Sequence, residues 1–196
     1  MGEKKSEQKL GFMWDIESLD VGPRSVVTQI AFAAFDLQDP DTLLAKESFF
    51  LPIQPQLTLG RTVSASTLIW WMKQDDKARL LFEENVGVEY EELAAFLRAV
   101  VTKFNRVTRN GVVPYENWAK GPQFDMVNIE TLMDQCAINV PWNYDATRDL
   151  RTLMKLAGIS TSDVERPESM TPHIAFEDVR YQILCYQAAQ RNIGRA

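Results

Sequence analysis

The chain has 196 residues, a length that fits one domain with at most a small appendage. Its 45% hydrophobic and 24% charged residues are typical of an ordinary globular protein, which excludes wholesale disorder and a collagen-like sequence. Lys and Arg number 21 against 27 Asp and Glu, so the net charge is −6 and no global basic field attracts nucleic acid or an anionic membrane.

The opening of the chain is predicted to be a meander of strands linked by hairpins. Residues 1–9 are polar, and we expect a flexible tail there, followed by a single domain over residues 10–196. Three segments rich in β-branched and aromatic residues are separated by turn residues, and they lie at 10–17, 25–36 and 46–53. The first strand should therefore be central to the sheet.

The rest of the chain is predicted to be mainly helical. Ser64 or Ser66 is a suitable N-cap for the first helix, and apolar residues at steps of three and four predict an amphipathic helix over 89–104. The remaining predicted elements are helices at 67–72, 75–82, 124–136 and 149–156, a strand at 114–119, a polar flexible loop at 159–171 and a final helix that Pro172 and His173 lead into and that ends near 192. This order predicts an α/β or α+β fold with a mixed sheet, of which we expect α/β.

Several common kinds of site are excluded. Cys136 and Cys185 are far apart, which excludes a disulfide framework and a thiolate zinc site, and a single histidine excludes zinc sites built on several imidazoles. The chain has no phosphate-binding P-loop, dinucleotide fingerprint, serine-hydrolase elbow or H-E-x-x-H. Its apolar runs are too short to span a membrane and the N-terminus has no apolar signal core, so we expect a cytoplasmic protein.

Carboxylates stand where several predicted elements begin or end. Asp15 and Glu17 are two apart on a strand and share one face at its C-terminal end. Asp125 lies in the first turn of a helix just beyond a strand, and Asp178 lies on the final helix. Taken alone, each has an ordinary explanation, such as a strand end that meets solvent or an acid that interacts favourably with a helix dipole.

His173, the only histidine, lies five residues before Asp178. With His173 in a loop and Asp178 on the helix, the two side chains can converge on one point, although a lone histidine is more often a surface or capping residue. Four acids at close quarters repel one another unless divalent cations neutralise them, and oxygen ligands suit Mg²⁺ or Mn²⁺. Two such ions promote phosphodiester hydrolysis when a neutral imidazole takes the proton of the attacking water.

The order of these residues resembles the signature of the DEDDh 3′-5′ exonucleases, which have the ribonuclease H-like fold. The similarity is closest to the phage and prophage exonucleases of the T-even type, also described as exonuclease VIII-like. It covers roughly residues 10–190 and is carried by D-I-E-S-L at 15–19, T-L-I-W-W-M at 67–72, W-A-K-G-P-Q-F-D at 118–125, W-N-Y-D-A-T-R-D-L-R-T at 142–152 and H-I-A-F-E-D-V-R at 173–180.

This resemblance implies a mixed central sheet flanked by helices, and an enzyme that releases nucleoside 5′-monophosphates from the 3′ end of single-stranded DNA or RNA. It implies that two Mg²⁺ or Mn²⁺ ions are held by the four carboxylates and that His173 is the general base; the metal ligands would be Asp15, Glu17, Asp125 and Asp178. Leu19-Asp20 stands where the family has Met-Gly, which leaves the terminal-nucleotide preference open, and the choice between DNA and RNA depends on contacts around residues 18–20.

Four further side chains are candidate substrate contacts, namely Ser18, Leu19, Trp70 and Phe124. Neighbouring tryptophans on a helix point about 100° apart, so either Trp70 or Trp71 can stack on a base. Packing in the core or between subunits of a homo-oligomer explains the tryptophans equally well.

Arg148 and Arg151 allow two interpretations. They either contact phosphate or pair with Asp145 and Asp149, and we expect the pairing.

Two other functions stay open at this point. One is a ribonuclease H-like module that binds nucleic acid or a protein without catalysis, and the retention of all five chemical positions argues against it. The other is hydrolysis of small phosphodiesters or very short oligonucleotides, which differs only in length preference.

With an ordinary histidine pKa near 6.5, a reaction that uses His173 as base should become faster between about pH 6 and 8.

Overall fold

The computed structural model describes residues 9–80 and 90–194, and its centre is a five-stranded mixed sheet of order β3-β2-β1-β4-β5. The strands are β1 (Leu10–Ser18), β2 (Val27–Asp36), β3 (Leu43–Phe50), β4 (Tyr115–Ala119) and β5 (Thr147–Asp149). β1, β2 and β3 are antiparallel neighbours, whereas β4 runs parallel to β1 and β5. The predicted meander, its central first strand and the α/β class with a mixed sheet are confirmed. The tail expected before residue 10 lies outside the described residues, except for Lys9.

Helices cover both faces of the sheet. They are α1 (Ile53–Thr58), α2 (Ala65–Trp71), α3 (Asp76–Leu80), α4 (Tyr90–Thr108), α5 (Asp125–Gln135), α6 (Leu150–Leu156) and α7 (Ala175–Ile193), and Thr161–Asp163 form a 3₁₀ turn. Ser64 is the N-cap of α2 and accepts the Thr67 N–H. No helix within residues 9–80 and 90–194 is long and apolar enough to cross a bilayer.

The predicted third strand is wrong at both ends. β3 begins at Leu43 and stops at Phe50, and the residues after it form α1 instead. Pro55 occupies the first turn of α1, where its missing N–H costs no helical hydrogen bond. The short strand β5 was not predicted at all.

β1 divides its side chains between two cores. Phe12 and Trp14 pack with α4 and α5 on one face, whereas Met13 packs with α6 and α7 on the other. Since side chains alternate along a strand, Asp15 and Glu17 continue the face of Met13 and emerge beneath α7. The same alternation that builds the two cores thus directs both acids toward the final helix.

A buried arginine ties the segment after β1 to α5. Arg61 donates through Nε to the Ser25 carbonyl (2.6 Å), through Nη2 to Asn128 Oδ1 (2.9 Å) and through Nη1 to Gln135 Oε1 (2.9 Å). Burial lowers the pKa of Arg61 to about 10. Asn128 Oδ1 also accepts the Ser25 N–H at 3.0 Å. This network fixes α5, the helix that begins with Asp125.

Candidate active site

Acidic side chains from three elements meet at the C-terminal end of β1. Asp15 and Glu17 come from β1, Asp125 is the first residue of α5, and Asp178 lies in the first turn of α7. Because β1 and β4 are parallel, the turn that follows β4 brings α5 to this end of the sheet. Glu17 and Asp125 are each only 8% exposed. The structure therefore gathers all four carboxylates that the sequence singled out.

The cluster disfavours its own negative charge. Burial raises the pKa of Asp15 and of Glu17 well above the ordinary range, and repulsion from the neighbouring carboxylates raises both further. Burial also raises the pKa of Asp125 to about 7, although the Ile16 N–H and the Arg151 guanidinium oppose the shift. Carboxylates that repel one another in this way are favourable ligands for cations.

His173 joins the cluster through both its backbone and its ring. Its backbone lies in the left-handed region at φ 64°, and its N–H donates to Asp178 Oδ2 at 3.0 Å. One ligand atom of each of Glu17, His173 and Asp178 lies within 4.8 Å of the others. The ring packs edge-on against Trp70, with centroids 4.6 Å apart, and burial lowers the pKa of His173 below 6.5. The imidazole is therefore mainly neutral near pH 7.

The donor set fits hard divalent cations. No hydrogen-bond donor within the described residues reaches the buried Glu17 carboxylate, whereas Asp15 accepts one bond, from Gln182 Nε2 at 2.6 Å. A buried carboxylate without a donor is costly unless a cation approaches it. Carboxylate oxygens are the ligands that Mg²⁺ and Mn²⁺ prefer. Asp15, Glu17, Asp125 and Asp178 have the chemistry to hold such ions.

The cluster opens into two adjoining cavities. One, of about 620 Å³, has Asp15, Asp125, His173 and Asp178 in its wall together with the cations Lys120, Arg151 and Arg166. The other, of about 410 Å³, is lined by Glu17, Ser18, Thr67, Trp70 and Phe124, among others. Ile16, Val21 and Phe124 border both cavities. A ligand bound across them would meet carboxylates on one side and aromatic rings on the other.

The candidate substrate contacts fall into different surroundings. Trp70 is 41% exposed beside the second cavity, whereas Trp71 is buried and donates through Nε1 to the Ser18 carbonyl at 2.8 Å. Ser18 Oγ donates to the Asp20 carbonyl. Leu19 departs from the expectation, because it is buried in a small cluster with Val26 and Trp71, and its own N–H and carbonyl bond within the chain. We therefore leave Leu19 out of the substrate site.

The expected pairing of Arg148 and Arg151 with aspartates is wrong. Arg148 donates to the backbone carbonyl of Asp145 (2.6 Å), and its Nε lies 3.8 Å from the Glu116 carboxylate. The Asp149 carboxylate instead caps α6 by accepting the Arg151 N–H at 3.0 Å. The Arg151 side chain is left to line the first cavity.

Two site residues escaped the sequence reasoning. Gln182, which binds Asp15, lies one turn after Asp178 on α7, so helical spacing could have indicated it. Arg166, which pairs with Asp178 at 2.5 Å, lies in the loop predicted over 159–171, and no pattern pointed to it.

The loop over 159–171 is also more anchored than the sequence suggested. Tyr181 on α7 donates through its hydroxyl to the carbonyls of Thr161 (2.7 Å) and Val164 (2.9 Å). Asp163 and Ser160 form a capping box, and Met170 is buried in the core beneath α7. These contacts replace the flexible loop that a polar, proline-containing segment predicts.

Known proteins resemble the chain in sequence pattern and in fold. The family model of the Rv2179c-like 3′-5′ exoribonuclease domain matches residues 11–190. A search of the curated proteins found no match. Among solved structures, an ExoI/SSB-Ct complex is similar at TM-score 0.64 and 14% identity, covering 96% of this chain and 42% of that one.

Two E. coli structures give comparable values. The metal-free ExoI–ssDNA complex has a TM-score of 0.62, and Exonuclease I with a 5cy-dT13 oligonucleotide has 0.58; both are 15% identical and cover 96% of this chain and 41% of the other. The chain thus spans about two fifths of the length of these proteins. At such low identity, the likeness shows a shared fold alone.

Proposed function

Because this chain belongs to the family of Rv2179c-like 3′-5′ exoribonuclease domains, we propose that it is a metal-dependent 3′-5′ exonuclease of single-stranded nucleic acid, with RNA as the preferred substrate. The carboxylate cluster of Asp15, Glu17, Asp125 and Asp178 beside His173 carries the proposal. The description of the family supports the preference for RNA. The similarity to a protein solved with single-stranded DNA supports the preference for an unpaired strand.

In this proposal the four carboxylates hold two Mg²⁺ or Mn²⁺ ions. When bound, the ions supply electrostatic stabilisation of the charge that develops on the phosphoryl group. The alternation along β1 directs Asp15 and Glu17 to one side of the site, and Asp125 and Asp178 approach from the first turns of two helices. The carboxylates are therefore fixed by secondary structure rather than by mobile loops.

His173 acts as the general base. Its ring nitrogen accepts a proton from the attacking water, whose oxygen forms a bond to the phosphorus of the terminal nucleotide. The bond from phosphorus to the 3′-oxygen of the preceding nucleotide breaks, which releases a nucleoside 5′-monophosphate and leaves a new 3′ end. The hydrogen bond from the backbone N–H of His173 to Asp178 anchors this residue, whose ring lies close to Glu17 and Asp178.

Aromatic side chains position the terminal base. Trp70 presents an exposed ring to the second cavity, and Phe124 borders both cavities. Stacking on such rings is tolerant of base identity, which suits an enzyme that removes successive nucleotides. Ser18 also lines this cavity, so we retain it as a substrate contact.

A gel time course with 5′-labelled RNA and DNA of matched sequence tests the proposal. We expect a ladder that shortens from the 3′ end with Mn²⁺ or Mg²⁺, disappears with EDTA and forms faster on RNA. The change Asp125→Asn should lower the cleavage rate by about 10²-fold or more, because it removes a carboxylate of the cluster. Asp134→Asn, an exposed change on the same helix, should leave the rate unchanged.

Each alternative predicts a different gel. Folded wild-type protein that forms no ladder on either strand would refute the exonuclease, and tight binding without cleavage would then favour a non-catalytic module. A faster ladder on DNA would refute the preference for RNA. Faster cleavage of a dinucleotide than of a longer strand would indicate a hydrolase of very short oligonucleotides.

A further inference from the structure

We propose that Arg166 is a further catalytic residue, whose guanidinium binds the phosphate of the terminal nucleotide. The inference rests on the proposed function, because it names the group that contacts the phosphate in that same site. Arg166 lies outside the four carboxylates and His173, and it comes from the loop between α6 and α7.

One end of the Arg166 guanidinium is bound to the cluster and the other is not. Nη2 donates to Asp178 Oδ1 at 2.5 Å. Nη1 is buried and has no hydrogen-bond partner within the described part of the chain. Buried polar groups are nearly always paired in folded proteins, so an unpaired donor beside a cavity is available to an acceptor on a bound ligand. Arg166 lines the same cavity as Asp15, Asp125 and His173.

The guanidinium is held in place by its surroundings. Its carbon lies 4.0 Å from the centroid of the Tyr181 ring, and the Tyr181 hydroxyl donates to two carbonyls of the loop that carries Arg166. The side chain of Arg166 is only 24% exposed. A donor fixed in this way loses little conformational entropy when a ligand binds.

Phosphate is the acceptor whose chemistry fits. A guanidinium is a planar fork that can bond a phosphate oxygen through one nitrogen while another nitrogen keeps its carboxylate. Four ionised carboxylates balance the charge of two divalent ions, so the negative charge of the phosphate has no partner among them. Lys120 and Arg151 also line the cavity, but among the cations there only Arg166 forms an ion pair with a carboxylate of the cluster.

Kinetics of two variants test the role directly. Arg166→Met keeps an unbranched stem over Tyr181 and removes the donors, and we expect kcat/KM on the labelled RNA to fall about 10²-fold. Arg166→Lys should recover part of this loss, since it restores the charge without the fork. Arg98→Met, an exposed change on α4, should leave kcat/KM within about twofold of the wild type, as expected for a surface charge.

Calorimetric titration separates contact with phosphate from support of Asp178. At saturating Mn²⁺, uridine 5′-monophosphate should bind Arg166→Met about 10- to 100-fold more weakly than the wild type. The affinity for Mn²⁺ alone should not fall, because the variant frees Asp178 from a competing cation. Unchanged binding of the nucleotide, or a weakened affinity for Mn²⁺ in its place, would overturn the proposal and make Arg166 a positioning residue for Asp178.

Failure of this inference differs from failure of the proposed function. Wild-type RNA cleavage with an equal rate in Arg166→Met would refute the role of Arg166 and leave the exonuclease intact. If the wild type cleaves neither strand, the exonuclease fails, and the nucleotide titration alone decides whether Arg166 binds phosphate. Melting temperatures of both variants within a few degrees of the wild type exclude unfolding as the cause of a loss.

Discussion

At the scale of single residues, the surroundings of His173 determine how the reaction should depend on pH. Burial lowers the pKa of His173, and the approach of Asp178 raises it only in part. We therefore expect the rise of kcat/KM with pH to lie at lower pH than the rise between about pH 6 and 8 that an unperturbed histidine predicts. A pH–rate profile measures this directly.

A second variant checks that the imidazole of His173 causes the rise of kcat/KM in the acidic limb of the pH–rate profile. Trp70→Leu exposes the ring, so the pKa should return toward 6.5 and the acidic limb should move to higher pH. A wild-type limb centred above pH 7, or a limb that Trp70→Leu leaves in place, would contradict the assignment of His173 as base.

The site residues that the sequence could identify are those whose spacing along the chain places their side chains close together. Asp15 and Glu17 share a strand face, and His173 and Asp178 flank the start of a helix. Each pair is therefore recognisable from its spacing in the sequence. Arg166 was not visible, because its role depends on a loop folding back over Tyr181. Leu19 was predicted as a substrate contact from its position just after β1, but that position does not determine which way a side chain points at a turn, and Leu19 is buried.

At the scale of elements, the buried arginine Arg61 joins the β1–β2 connection to α5. Arg61→Met leaves Ser25, Asn128 and Gln135 without their shared donor. We expect the free energy of unfolding to fall by about 2–4 kcal/mol, because several buried acceptors lose their partner at once.

Urea denaturation measures that loss. Arg24→Met is a suitable control, since Arg24 is exposed on the β1–β2 connection and its change should cost less than about 0.5 kcal/mol. Equal stabilities of Arg61→Met and wild type would show that the network does not fix α5. A loss of activity in excess of the loss of folded protein would indicate that Asp125 has moved.

Helices and strands are predictable from the sequence where apolar periodicity or turn residues mark them. They are missed where contacts with other parts of the fold determine the secondary structure. The strands of the meander and the amphipathic α4 follow from the pattern of apolar residues alone. β5 has three residues and exists because it pairs with β4, a contact that no local pattern reveals. α1 was missed because proline is unfavourable in the interior of helices and strands alike, whereas here Pro52 is the N-cap of a helix and Pro55 lies in its first turn.

At the scale of the whole molecule, the cluster should make stability depend on pH when metal is absent. The folded pKa of Asp125 is about 7, above its ordinary value of 3.8. The folded state therefore binds the proton more tightly than the unfolded chain, so this contribution is fully present below about pH 4 and is lost as the pH rises toward 7. Asp15 and Glu17 have raised pKa values and act in the same direction.

Thermal unfolding in EDTA tests whether stability falls as the pH rises. Relative to Asp125→Asn, which cannot ionise at this position, the melting temperature of the wild type should fall between pH 5 and 7. At pH 7, Mg²⁺ or Mn²⁺ should raise the melting temperature of the wild type more than that of the variant, because ions that bind only the folded state stabilise it. A wild-type melting temperature that rises relative to the variant over this range would contradict the electrostatic account.

The identity of the first product tests the proposed reaction most directly. An oligouridine that ends in a single 3′ cytidine is incubated with Mn²⁺ in oxygen-18 water, and the reaction is stopped at low conversion for mass spectrometry. We predict cytidine 5′-monophosphate as the first product, with one heavy oxygen on its phosphate. A first product that carries a 3′-phosphate, comes from the 5′ end or is an internal fragment would contradict the proposed reaction.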